Sequence, residues 1–156
     1  MIELGITVRD LVSFCHRSGD IDHRFTPSPT GVQGVAGHQR VYRRRGQSYR
    51  SEYPVDYRHI VGDLQLRLRG RADGFDPAAA LVEEIKTCRV KPALIPAAVS
   101  QMHLAQARIY AALIAIELNL DQLEVRLTWF NIDSDEETPL SQTYSRDELD
   151  GFLASS

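Results

Sequence analysis

Cysteine is nearly absent from this sequence: Cys15 and Cys88 are the only two, and they do not form a Cys-x-x-Cys pair. Two thiols cannot furnish a four-thiolate zinc or iron–sulfur site, so no iron–sulfur cluster is expected in this chain, and each cysteine reads as a small packed residue. Long apolar runs are missing as well. The longest, near residues 109–116, falls far short of the roughly 20 residues that cross a bilayer. The opening Met1-Ile2-Glu3-Leu4-Gly5 lacks the basic and apolar regions of a secretory leader. These absences predict a cytoplasmic, reducing location without membrane contact. Repeats, low-complexity tracts and an internal linker are also absent, and one domain over residues 1–156 is expected, long enough to bury a core without disulfide or metal staples.

Net charge is small, −3, but it is unevenly spread. Residues 40–91 are rich in arginine, including the run Arg43-Arg44-Arg45, whereas residues 117–150 are acidic with only Arg126 and Arg146 against them. Because charge attraction in salt reaches only about 8 Å, a basic middle can hold a polyanion on a slightly acidic protein. A solvated arginine face is the simpler alternative.

Thr7-Val8-Arg9-Asp10 resembles a capping box, with Thr7 as N-cap, and starts a helix expected to stop near Ser18-Gly19-Asp20. The segment Pro27-Ser28-Pro29-Thr30-Gly31 is a loop leading into a second helix with Val35, His38, Val41 and Tyr42 at helical spacing. Beyond Gly46 the period becomes two. Tyr53, Val55 and Tyr57, then Leu64, Leu66 and Leu68, alternate with polar residues and predict paired antiparallel strands. Ala80-Leu81-Val82-Glu83-Glu84-Ile85-Lys86 reads as a third strand after an Asp76-Pro77 turn. Pro96 opens a helix expected over Ala97–Leu118, with Asn119 as its stop. Leu123-Glu124-Val125-Arg126-Leu127-Thr128-Trp129-Phe130 is a further strand, residues 139–144 an edge strand, and Ser145-Arg146-Asp147-Glu148 a helix start. The order predicts an α/β (α+β) fold, a mixed sheet flanked by helices.

The chemistry gathers around the second and third predicted strands. Alternation puts Glu84 and Lys86 on one face and turns Glu83 and Ile85 to the other, so loss of Glu83 is expected to cost little chemistry. A carboxylate from each of two adjacent strands, Asp73 and Glu84, can converge beside one ammonium. Hard oxygen ligands for Mg²⁺ or Mn²⁺ and a compact cation near a phosphate are what phosphodiester hydrolysis requires. A lone Glu-x-Lys would equally be a salt bridge on a sheet.

The wider pattern is more specific. Gly70-Arg71-Ala72-Asp73 followed by Glu84-Ile85-Lys86 resembles the Gly-x-x-Asp and Glu-x-Lys motifs of the PD-(D/E)XK nucleases, above all their RecB-like exonuclease branch. Gln106-Ala107-Arg108-Ile109-Tyr110 is similar to that branch's Gln-x-x-x-Tyr helix, and Gly34-Val35-Ala36-Gly37-His38 to its Gly-x-x-x-His helix, in the family's order. The resemblance implies a restriction-endonuclease-like αβββαβ core and divalent-metal-dependent cleavage of DNA, single-stranded or with single-stranded ends, in repair or recombination. It further implies that Asp73, Glu84, the Ile85 carbonyl and His38 hold Mg²⁺ or Mn²⁺, the imidazole tilting the choice to Mn²⁺. Lys86 becomes the catalytic cation. Gln106 and Tyr110 support the site or touch DNA, and Arg40, Arg43, Arg44 and Arg45, continuing the His38 helix, contact phosphates. Ala72 stands where the family name has proline, and the cluster-binding cysteines of several relatives are missing. The subfamily most resembled is the nuclease domain joined to DinG-like helicases, on Val8-Arg9-Asp10-Leu11-Val12 and the residues around Gln106. No helicase motif is present, which implies a separated domain or a stand-alone relative with a helicase partner. The alternative is a catalytically silent module that kept the fold and binds DNA or a docking partner.

Overall fold

Thr7 ends one element and caps the next. Its Oγ1 accepts the N–H of Asp10 at 3.1 Å, satisfying one of the orphan donors of a helix start. The computed structural model describes residues 2–15 and 31–155; the expected helix stop at Ser18-Gly19-Asp20, the loop at residues 27–30 and the Cys15 side chain lie outside the described residues. The chain runs β1 (Ile2–Thr7), α1 (Val8–Cys15), α2 (Gly31–Arg43), β2 (Arg50–Val61), β3 (Leu64–Asp76), β4 (Leu81–Cys88), a short 3₁₀ turn (Pro92–Leu94), α3 (Ala97–Leu118), β5 (Gln122–Asn131), β6 (Glu137–Ser145) and α4 (Arg146–Ser155). Asn119 stops α3 in the left-handed region, φ 54°, as Asn tolerates. Ser145 and Glu148 form a reciprocal capping box at α4, with bonds of 3.2 and 3.0 Å. The strand β1 is an addition to the order read from the sequence.

One six-stranded mixed sheet results. The hairpin partner β2 runs antiparallel along β3 from Leu64 to Phe75. That occupies one edge of β3, so its other two neighbours must share the remaining edge. β1 lies parallel against Leu64 to Arg69, and β4 lies antiparallel against Gly74 to Asp76. β5 joins β4 in parallel across the α3 crossover, and β6 closes the far edge antiparallel to β5. Between the β1 and β4 pairings β3 has a gap along that edge, and Asp73 stands at its rim.

Helices cover both faces of β4. On one, Val41 of α2 packs with Ile85 and Phe130. On the other, α3 buries Ala105, Ile109, Leu113 and Ile114 in the main core with Val82 and Val125, and Val99 beside Cys88, Leu127 and Trp129. A strand buried on both faces has no solvent side, which is why Val82, Glu83, Glu84 and Ile85 are all buried. No helix among the described residues is long and apolar enough to cross a membrane.

Candidate functional site

The pairing of β3 with β4 stops at Gly74↔Glu83. The next N–H that β4 offers, that of Ile85, goes to a side chain: Asp73 Oδ2 accepts it at 2.7 Å. Asp73 therefore replaces a ladder bond and is fixed by the backbone of the strand that carries Glu84. In an extended strand a residue's N–H and C=O project to the same neighbour, so the Ile85 carbonyl faces this seam too. From beneath, the Tyr42 hydroxyl of α2 donates to the Asp73 carbonyl at 3.0 Å. Burial, then the charge of Asp73, pushes that phenol well above its ordinary value, which keeps it a donor. In the sequence Tyr42 stands out only by its helical spacing. Its role is set by a partner 31 residues away, which local pattern does not reveal.

Glu84 and Lys86 share a face as alternation predicts. Lys86 Nζ lies 3.3 Å from Glu84 Oε1, the ammonium a quarter exposed and the carboxylate 3 %. Burial, then the neighbouring Asp73 charge, raises Glu84 from 4.5 to about 8 against the pull of Lys86. Two carboxylates thus share a poorly solvated site with one lysine. His38 of α2 brings Nδ1 to 3.9 Å from Asp73 Oδ1. Tyr110 and Gln106 of α3 are buried and hydrogen-bonded to each other, with Tyr110 near enough for Glu84 and Asp73 to act on its hydroxyl, whose pKa burial raises first. The structure therefore brings together His38, Asp73, Glu84, Lys86, Gln106 and Tyr110. Among the described residues no three or more His, Cys, Asp or Glu side chains stand at metal-holding spacing.

Glycine makes two of these approaches possible. A Cβ on Gly70 would lie 2.9 Å from the Tyr110 hydroxyl, and one on Gly37 only 2.4 Å from Thr87 Cγ2. The first lets α3 press its tyrosine onto β3. The second lets α2 lie close on β4. Gly34, the glycine of the helix motif, has ordinary room at 3.7 Å, so Gly37 does the close packing.

The raised Glu84 carboxyl gives a stability prediction for the metal-free protein. Between pH 4.5 and about 8 the folded chain holds a proton that the unfolded chain has shed. This contribution is complete below the unfolded value and is lost as pH rises toward the folded one. Urea unfolding should show stability falling across that window, by at most about 1.4 kcal/mol per pH unit from this group, and Glu84→Gln should flatten the fall. An unaltered pH profile in that variant would remove Glu84 as its source.

The arginines expected at DNA occupy another arrangement. Arg45, just past α2, grips Glu83 through Nε–Oε1 at 3.0 Å and Nη2–Oε2 at 2.8 Å, and reaches Glu137 Oε1 at 2.7 Å. Glu83 is fully buried and also accepts from Tyr49 at 2.8 Å and from Thr128. Arg44 bonds Glu137 at 3.1 Å, Arg40 bonds Asp135 at 2.8 Å, and Arg89 bonds Asp133 at 3.4 Å. The basic middle and acidic end of the sequence thus meet around the β5–β6 turn and neutralise each other. Arg43 is exposed and makes no ion pair among the described residues. The same holds for Arg58, Arg69 and Arg71 on the solvent face of the β2–β3 hairpin, which the sequence did not single out.

No family model matches this sequence, and no curated protein matches it. Solved structures do. The protein SSO0001 is similar over 97 % of this chain and 74 % of its own, at 20 % identity and a TM-score of 0.58. That likeness is one of fold. A phage-related exonuclease from Haemophilus somnus 129PT aligns with 94 % of this chain and 74 % of its own, at 12 % identity and a TM-score of 0.41. It is a distant neighbour from which neither shared fold nor shared activity follows.

Proposed function

We propose that this chain is a divalent-metal-dependent nuclease that hydrolyses DNA phosphodiester bonds, acting on single strands or single-stranded ends. One observation supports this above the others: Asp73 and Glu84 stand together where β3 and β4 part, with Lys86 against Glu84. Two carboxylates crowded in a dry seam repel each other and take up a proton in the absence of a cation, and hard oxygen donors fit Mg²⁺ or Mn²⁺. Asp73 and Glu84, with the Ile85 carbonyl and His38, would hold the ion. Bound there, it would supply charge against the scissile phosphate and lower the pKa of water. Lys86 offers a point charge to phosphate oxygens. Gln106 and Tyr110, both buried, position the carboxylates, and Tyr42 pins the Asp73 main chain. The test is cleavage of single-stranded DNA by purified protein with Mn²⁺ or Mg²⁺, stopped by EDTA. Work in repair or recombination beside a helicase belongs to the same proposal and rests on the sequence resemblance alone.

A second reading, a nuclease fold that binds DNA without cutting it, draws on the lack of a three-donor group among the described residues. Metal-stimulated cleavage that survives further purification excludes it.

Of the phosphate contacts expected from Arg40, Arg43, Arg44 and Arg45, we assign Arg43 the leading part on the helix. For Arg40 and Arg44 to contribute, they must leave Asp135 and Glu137. Arg58, Arg69 and Arg71 extend the basic surface over the hairpin. Replacing Arg43, Arg58, Arg69 and Arg71 by Ala should weaken single-strand binding. The slope of log affinity against log salt should flatten by about 0.7 for each arginine that had neutralised a phosphate. An unchanged slope would place the DNA elsewhere.

A further inference from the structure

We infer that Arg108 anchors a second binding site, apart from the Asp73–Glu84 pair, for the oxyanion of a small organic molecule. Arg108 lies two residues beyond Gln106, about 200° around α3. While Gln106 and Tyr110 turn toward the carboxylates, Arg108 opens toward β6 and α4. Its guanidinium carbon lies 3.8 Å from the ring centre of Phe152 and 4.3 Å from that of Tyr144. Stacking on two rings fixes the plane of the group. Yet among the described residues Nε is buried without a hydrogen-bond partner, and Arg108 enters no ion pair with any of them. Its charge is felt by Glu148, whose Oε1 accepts the Ser145 N–H.

With Nε closed off from solvent and two rings against its faces, the guanidinium has its Nη edge left to offer, unclaimed among the described residues, and that edge matches the two oxygens of a carboxylate or phosphate. Arg108 lines a cavity of about 290 Å³ whose other walls give the ligand its character. Gln101, Ser141 and Gln142 add amide and hydroxyl groups beside the charge, while Leu104, Val125 and Leu140 form an apolar side. A bare ion would leave that side unfilled. The fit is to an oxyanion carried on a small apolar or aromatic body, held by an arginine already ordered for it.

The test titrates the full chain with three probes by calorimetry: inorganic phosphate, benzoate and adenosine monophosphate. Saturable binding of benzoate or the nucleotide, tighter than inorganic phosphate, is expected, and which of the two binds distinguishes a carboxylate from a phosphate ligand. Arg108→Lys keeps the charge but loses the bidentate edge, so affinity should drop about tenfold or more. Phe152→Leu, which removes one of the two rings that hold the guanidinium plane, should weaken binding with the charge retained. Cleavage of DNA, a property of the other side of α3, should stay at the wild-type rate in both variants, so failure of the nuclease proposal leaves this test intact. The inference is overturned if neither organic probe saturates, if inorganic phosphate binds as tightly as they do, or if folded Arg108→Lys binds like wild type. Should Arg108→Lys melt early, Arg108→Gln with thermal unfolding measured alongside serves in its place.

Discussion

Asp73→Ala should abolish DNA cleavage, lowering it by at least about a thousandfold, and should remove binding of Mn²⁺ with it. The residue supplies a carboxylate to the seam and also closes that seam by accepting the Ile85 N–H at 2.7 Å. Its loss takes a ligand from the proposed metal site and frees the backbone that sets the direction of Glu84. Lys86→Ala should separate the two functions. Lys86 is 3.3 Å from Glu84 and contributes charge rather than ligation, so Mn²⁺ titration should be preserved while turnover falls about a hundredfold or more. If wild type and Asp73→Ala cleave with the same residual rate, that rate comes from a contaminant and the non-cleaving reading prevails.

Glu83→Ala should be the most destabilising single change near the site, by about 1–3 kcal/mol or more, because it leaves the Tyr49 and Thr128 hydroxyls without their acceptor and the part-buried Arg45 with Glu137 alone. Strand alternation predicts little chemical cost from Glu83, since it points away from Glu84. The direction is right, but that face is not solvent: Arg45, Tyr49 and Thr128 all donate to the carboxylate there. The effect should therefore appear as a lower urea midpoint, with Thr128→Val showing a smaller shift of the same sign. A Glu83→Ala protein as stable as wild type would mean that Arg45 finds Glu137 sufficient.

Elements with strong local signals were legible in the sequence. Thr7, Pro96, Asn119 and the Ser145–Glu148 box mark helix ends through bonds that close within a few residues, and alternation along β2, β3 and β5 reflects one face packed on helices. The strand β1 was missed although Ile2, Leu4 and Ile6 alternate. Ile2 and Leu4 remain 68 % and 53 % exposed, so no buried face reinforces the pattern, and its partner β3 begins far along the chain. Charge was the least legible property. Arg40 and Asp135 are 95 residues apart and bonded, and a linear count cannot show such cancellation. Aromatic contacts of this kind are equally hidden in a linear reading: His103 lies 5.6 Å from Trp129 and His59 6.3 Å from Tyr57 between ring centres.

The side-chain closure between Asp73 and Ile85 also makes one amide proton a reporter of the whole seam. Ile85 N–H has no strand partner on the β3 side, yet its bond to Asp73 should slow its exchange with heavy water to the pace of the neighbouring ladder. In Asp73→Asn, whose amide oxygen can still accept, that proton should remain slow. In Asp73→Ala it should become the fastest along β4, so a single resonance would tell whether an inactive variant has lost a charge or has opened its sheet.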